Sequence, residues 1–230
     1  MAIVIGIGVG FINGFLVAQF NIPDMIVTIA TMNIWKAMIF ALLGGKWLTG
    51  LNPSYAPITR ARVLGIPVLL ILIIAVYALF YYFLMYRRFG RYIYATGCNP
   101  QSANLSGINI KRIKLVSYCI SGGIAAIAAM LYIARMGSVE MTIGSDLPIA
   151  CIAAVTIGGT GAKGNGKRGS VIGTLAGVMF IAFLKNGIVI FGIPSLLENC
   201  FIGLLIVLSV LFDALTAGRK FGKSSKEVAA

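Results

Sequence analysis

Apolar residues in this chain fall into long runs, and polar residues collect between them. The first run is Ala2–Phe20, broken by "NIPD" (Asn21–Asp24), and the second is Met25–Gly44. A mixed stretch, Gly45–Ile66, leads to a third run, Pro67–Tyr86, which closes on the aromatic cluster Phe80, Tyr81, Tyr82 and Phe83. A polar stretch, Arg87–Lys114, precedes a fourth run, Leu115–Met136. Past the connector Gly137–Pro148 come a short apolar piece, Ile149–Gly159, a glycine-rich stretch, and the runs Val171–Phe191 and Leu196–Leu215. A bilayer core takes about 20 apolar residues per helix. The pattern therefore predicts an all-α polytopic membrane bundle of about six spans, one of them short or broken. Ile149–Gly159 is too short to cross alone and is expected to be a partial helix sheltered by its neighbours.

Composition agrees with that pattern. Hydrophobic residues make up 59% of the chain and charged residues 11%, against about a quarter charged in soluble domains. The formal charge of +13 would raise nucleic acid as a partner in a soluble protein. Here Lys and Arg sit between the apolar runs, where the positive-inside rule wants them, so no nucleic acid is expected. Arg87–Lys114 holds Arg87, Arg88, Arg91, Lys111, Arg112 and Lys114 without an acid, and the tail holds Arg219, Lys220, Lys223 and Lys226. Both are placed in the cytoplasm, with the acidic connector outside and the glycine-rich stretch inside. Residues 1–218 read as one transmembrane domain with a cytoplasmic loop at 87–114, and 219–230 as a basic cytoplasmic tail. Counting crossings backward puts Met1 outside with no charged leader before it, so earlier spans are expected ahead of it. Cys98, Cys119, Cys151 and Cys200 are scattered and there is no His, which removes zinc sites, a disulfide framework and the commonest general base.

Small residues crowd the spans. Gly6, Gly10 and Gly14 repeat at a close-packing spacing, Ser121, Gly122, Gly123, Ala125 and Ala126 fill the fourth run, and Gly169, Gly173 and Gly177 repeat in the next. The glycine-rich stretch imitates a phosphate loop from Gly161 to Lys167, but Arg168 stands where Ser or Thr would hold Mg²⁺. A membrane span follows it, and none of the few acids closes a soluble strand. No nucleotide, cofactor or metal is expected on this chain, and no catalysed chemistry.

These residues resemble the permease subunits of ribose-type ABC importers. "RRFGRYIYATGCNPQSANLSGINIKRIK" (Arg87–Lys114) is similar to that family's main cytoplasmic loop, and "IAAVTIGGTGAKGNGKRGSVIGTLAG" (Ile152–Gly177) to its second signature. "NIPDMIVTIATM" and "LKNGIVIFGI" fit as well, and the likeness runs from about Ile5 to Asp213. It implies a multi-pass protein of the inner (plasma) membrane that forms the path for a simple sugar. It also implies a second permease copy, cytoplasmic ABC ATPase subunits that carry the phosphate loop, and an external sugar-binding protein. Two departures are visible. The family has several more spans before the residue matching Ile5. It also often has a Glu and an Asp where Pro148 and Ala150 stand here, which bears on substrate choice or the outer gate. A secondary transporter and a non-transporting subunit of a split permease are the other readings.

Within Arg87–Lys114, Asn99 suits an N-cap, Pro100 the first helical position and Gly107 the C′ position, with Ala103, Leu105 and Ser106 between. By itself this predicts a short helix at the membrane surface. The resemblance implies that it is the coupling helix that docks on the ATPase, with Arg87 and Arg91 as topology anchors and secondary contacts. Polar residues inside spans are costly: Asn13, Asn33, Lys36, Lys185, Asn186, Glu198 and Asn199. They read either as interhelical hydrogen-bonding groups or, for Asn33, Asn186 and Asn13, as the lining of a sugar path.

Overall fold

The computed structural model describes residues 1–45, 48–49, 62–63, 66–139, 143–159 and 170–192, and helical residues 200–201, 203–205, 207–208 and 211. Eight helices have defined bounds: α1 (Ala2–Phe20), α2 (Asp24–Leu43), α3 (Val68–Tyr86), α4 (Arg88–Cys98), α5 (Pro100–Leu105), α6 (Ile110–Met136), α7 (Leu147–Ile157) and α8 (Val171–Ile190). Five of them, α1, α2, α3, α6 and α8, are long and apolar enough to cross a membrane, and α7 is a shorter apolar helix. At 1.5 Å per residue the 19 residues of α1 span about 28 Å, close to the bilayer core, while the 11 of α7 span about 16 Å. The chain is thus an all-α multi-pass membrane protein, as the hydrophobic runs predict. Two antiparallel ladders of two residues each add little: β1 (Leu48–Thr49) pairs with β4 (Ser138–Val139), and β2 (Arg62–Val63) with β3 (Ile66–Pro67).

The chain divides into two compact units, Met1–Ile143 and Gly144–Ala230. The first is built on α1 against α6. A Cβ on Gly6 would lie 2.5 Å from the Gly122 carbonyl oxygen, one on Gly10 would run into the Tyr118 carbonyl, and one on Gly14 would lie 2.9 Å from Tyr118 Cβ. Positions 6, 10 and 14 thus meet 122, 118 and 115–118 in descending order, so the two helices run antiparallel with their backbones nearly touching. Gly8, in the same helix, has nothing within 4 Å of such a Cβ. The seam is therefore one face of α1, completed by Val17 (1% exposed) and Ala18.

The second unit repeats the device. A Cβ on Gly173 would strike the Gly158 carbonyl, and one on Gly177 the Ala154 carbonyl. Ala153, Ala154 and Ile181 form its buried core, with Ile157 against them. The short apolar helix is sheltered as expected, by α8. The predicted runs differ from the helices chiefly at α6, which starts at Ile110 rather than Leu115. The Asn109 side chain accepts a hydrogen bond from the Arg112 N–H (3.1 Å) and so begins the helix a turn earlier.

Candidate functional site

The segment between α3 and α6 carries the short helix that the caps predict. Asn99 leaves α4 in an extended conformation, and its Oδ1 accepts from the Ser102 N–H at 3.1 Å. Pro100 occupies the first turn, where its missing N–H costs nothing. At the other end Gly107 has φ +81°, a conformation that a β-branched residue resists. The Gly107 N–H bonds the Asn104 carbonyl and the Ile108 N–H bonds the Ala103 carbonyl, which together make a Schellman closure. The Ser106 hydroxyl donates to the Ser102 carbonyl (2.9 Å). The helix is short, yet both ends are tied. Ala103 is 4% exposed and holds α5 down, while Leu105 is 90% exposed. An apolar side chain is thus displayed at the tip of a fixed turn.

One element of this region is absent from the reading of the pattern. Residues 88–98 form α4, whereas the polar stretch predicts only the short helix after Asn99. The signal is present: Phe89, Ile93 and Thr96 recur at helical spacing and are buried or half-buried, while Arg88, Arg91 and Tyr92 are exposed on the other face. Gly90 lets α4 fold back on α3, because a Cβ there would run into the Leu84 backbone. Arg87 forms the elbow in extended conformation, with its guanidinium carbon 5.7 Å from the Tyr82 ring centroid. Arg87 and Arg91 therefore sit at the α3–α4 turn and along α4, one helix away from Leu105.

The first turns of α6 reach the α1–α2 elbow. The Lys111 ammonium donates to the Gln19 side-chain oxygen Oε1 at 3.1 Å, and Lys114 pairs with Asp24 at 3.5 Å. That elbow is tight because Asn21 takes a left-handed conformation (φ 52°) and Pro23 is extended. Through Gly107 and Ile108, α5 continues directly into α6, so the short helix joins one end of the α1–α6 seam. The exposed pair contributes little to stability, about 0–1 kcal/mol. What it gives is position.

The asparagines fall apart. Asn33 is exposed on α2 and Asn186 is exposed on α8, in the second unit. Asn13 is half-buried on the α1 face that carries Gly6, Gly10 and Val17, and its Oδ1 is buried with no hydrogen-bond partner among the described residues. Lys36 and Lys185 both have partners. Glu198, Asn199, the glycine-rich residues 160–169, the connector residues 140–142 and the tail 212–230 lie outside the described residues.

Comparison with known proteins bears on this arrangement. The family model of the branched-chain amino acid transport system permease component matches residues 1–210. The ribose import permease protein of Bacillus subtilis (strain 168) is 34% identical over 203 residues, covering 87% of this chain and 62% of that protein. The ribose import permease protein of Haemophilus influenzae (strain Rd) is 34% identical over 217 residues, covering 93% of this chain and 67% of that protein. The probable ABC transporter permease protein YphD of Escherichia coli (strain K12) is 36% identical over 208 residues, covering 87% of this chain and 60% of that protein. The chain therefore spans about three fifths to two thirds of these relatives. No solved structure matches.

Proposed function

The chain belongs to the branched-chain amino acid transport system permease family, and on that premise we propose that it is a membrane-spanning subunit of an ATP-driven importer for a simple sugar such as ribose. The observation that carries the reading is the display of Leu105 on a doubly capped turn within a segment whose charged residues are all basic. Water is a poor neighbour for a fixed, exposed leucine, and a groove on a cytoplasmic ATPase is a good one. The relatives that are ribose import permeases support the sugar.

In this reading α5 is the coupling helix. Asn99, Pro100, Ser106 and Gly107 hold its shape, Ala103 seats it and Leu105 enters the motor. ATP binding on the motor favours one of two conformations of the permease, and α5 passes the difference into α6 and the α1–α6 seam. A second permease copy and an extracytoplasmic sugar-binding protein complete the assembly. Asn33 in the first unit and Asn186 in the second, and less directly Asn13, are each proposed to offer an amide to sugar hydroxyls. The test is ATPase activity of the complex reconstituted in vesicles, screened over pentoses and hexoses delivered by the binding protein. Stimulation by one sugar class is expected. A flat response across all of them, with the ATPase bound and active, overturns the reading.

A further inference from the structure

The arginines at the α3–α4 elbow have a geometry of their own. The last turn of α3 presents Tyr82 stacked on Tyr86 (centroids 5.3 Å apart) and Phe83 against Phe89 (5.8 Å), an aromatic collar of the kind that sits at headgroup depth. Arg87 turns back over the Tyr82 ring rather than away from it. Because Gly90 brings α4 against Leu84, the exposed face of Arg88, Arg91 and Tyr92 stays close to that collar. Among the described residues none of the three arginines has an ion pair, and Arg87–Lys114 contains no carboxylate. Asp24, the acid at this end of the first unit, is paired with Lys114. Three guanidinium groups thus stand beside the aromatic collar without a described counter-charge.

We propose that Arg87, Arg88 and Arg91, with Tyr82 and Tyr92 beside them, bind the phosphodiester headgroup of an anionic phospholipid. Guanidinium planes match phosphate oxygens in pairs, and interfacial tyrosines accept the glycerol region. An acidic protein surface is the competing occupant. The position of Arg87 against the aromatic collar favours the lipid, since a docking protein would be met by charges pointing away from the membrane. The inference rests on the membrane-spanning fold and is independent of the transported solute.

The experiment is native mass spectrometry of the full chain in mild detergent, offered phosphatidylglycerol and phosphatidylcholine in equal amounts. The unmodified chain is expected to retain phosphatidylglycerol preferentially. Arg91→Gln should lower that retention about fivefold, and the triple variant Arg87→Gln/Arg88→Gln/Arg91→Gln should lose it. Arg112→Gln removes the same charge outside the patch and should change retention little. Equal retention of the two lipids by the unmodified chain overturns the proposal without reference to any variant. So does an equal loss in Arg91→Gln and Arg112→Gln, which would mean charge without a site. Unchanged lipid retention in the triple variant, combined with loss of ATPase copurification, assigns the patch to a protein partner and overturns it as well.

Discussion

At Leu105 two demands of the chain separate cleanly. Burying a leucine is worth about 1.5–3 kcal/mol, yet this one is 90% exposed while Ala103, two residues earlier, is 4% exposed. The caps that hold this display are local, so a change at the tip should leave the spans alone. Leu105→Asp is expected to abolish ATPase copurification, or to uncouple hydrolysis from transport, with normal membrane insertion in a fraction blot. Gly107→Val should act by another route, since it strains the φ +81° turn and reorients α5 rather than altering its surface. Retention of a coupled ATPase by both variants would leave the segment a mere connector. The glycines of α1 offer a second contrast within one helix. Gly10→Ala drives a methyl into the Tyr118 carbonyl and should lower stability by about 1–3 kcal/mol, the usual range for overpacking. Gly8→Ala, with open space around it, should raise it by about 0.5–1 kcal/mol through helix propensity. Thermal unfolding in detergent checks both, and equal shifts would show that the seam is looser than described.

Between elements, close backbone approach does more than charge. Lys114–Asp24 is exposed on both sides, so Asp24→Asn should cost less than about 1 kcal/mol. Gly177→Leu, by contrast, places a side chain where the Ala154 carbonyl lies and should push α7 off α8. Because α7 spans only about 16 Å, its polar ends need that shelter. Protease protection of the α7 segment in oriented vesicles should fall in Gly177→Leu and hold in Asp24→Asn. If Asp24→Asn were the more damaging, the elbow rather than the seams would organise the bundle. The same ranking explains α4, a helix that the hydrophobic pattern passes over. α4 is polar enough to read as loop, and it becomes a helix with a buried side because Gly90 and the Phe83–Phe89 contact give it a wall to lie on.

For the whole molecule, orientation follows from where the basic ends meet. Antiparallel packing of α1 on α6 brings Gln19 and Asp24 to Lys111 and Lys114, and the β1–β4 ladder joins Leu48–Thr49 to Ser138–Val139 at the far end of α6. From the charge bias we propose that the first end faces the cytoplasm. A cysteine at Ser106 in a background lacking the native cysteines should therefore react only after the membrane is permeabilised, and one at Ser138 should react from outside. The reverse pattern would invert the topology and with it the coupling-helix reading.

Much of this protein is settled along the chain. The run Ala2–Phe20 is α1 to the residue, and Val171–Phe191 is α8 within one position, because in lipid every span must satisfy its own backbone and announces itself by length and hydropathy. The α5 caps are equally local: Asn99, Pro100 and Gly107 act within a few residues of themselves, so their spacing alone locates the helix. The glycine spacings forecast close helix packing but not partners, since a small-residue stripe fits any complementary backbone. Tertiary structure alone chose Gly122 for Gly6 and Gly158 for Gly173. It also decided that Leu105 faces out while Ala103 faces in, that Arg87 returns to Tyr82, and that Lys111 and Lys114 hold the α1–α2 elbow. The Gly6–Gly122, Lys111–Gln19 and Lys114–Asp24 contacts join residues some ninety or more positions apart, and the others depend on how one helix lies on the next, so which of several compatible surfaces meet is decided by packing rather than by any one stretch of sequence.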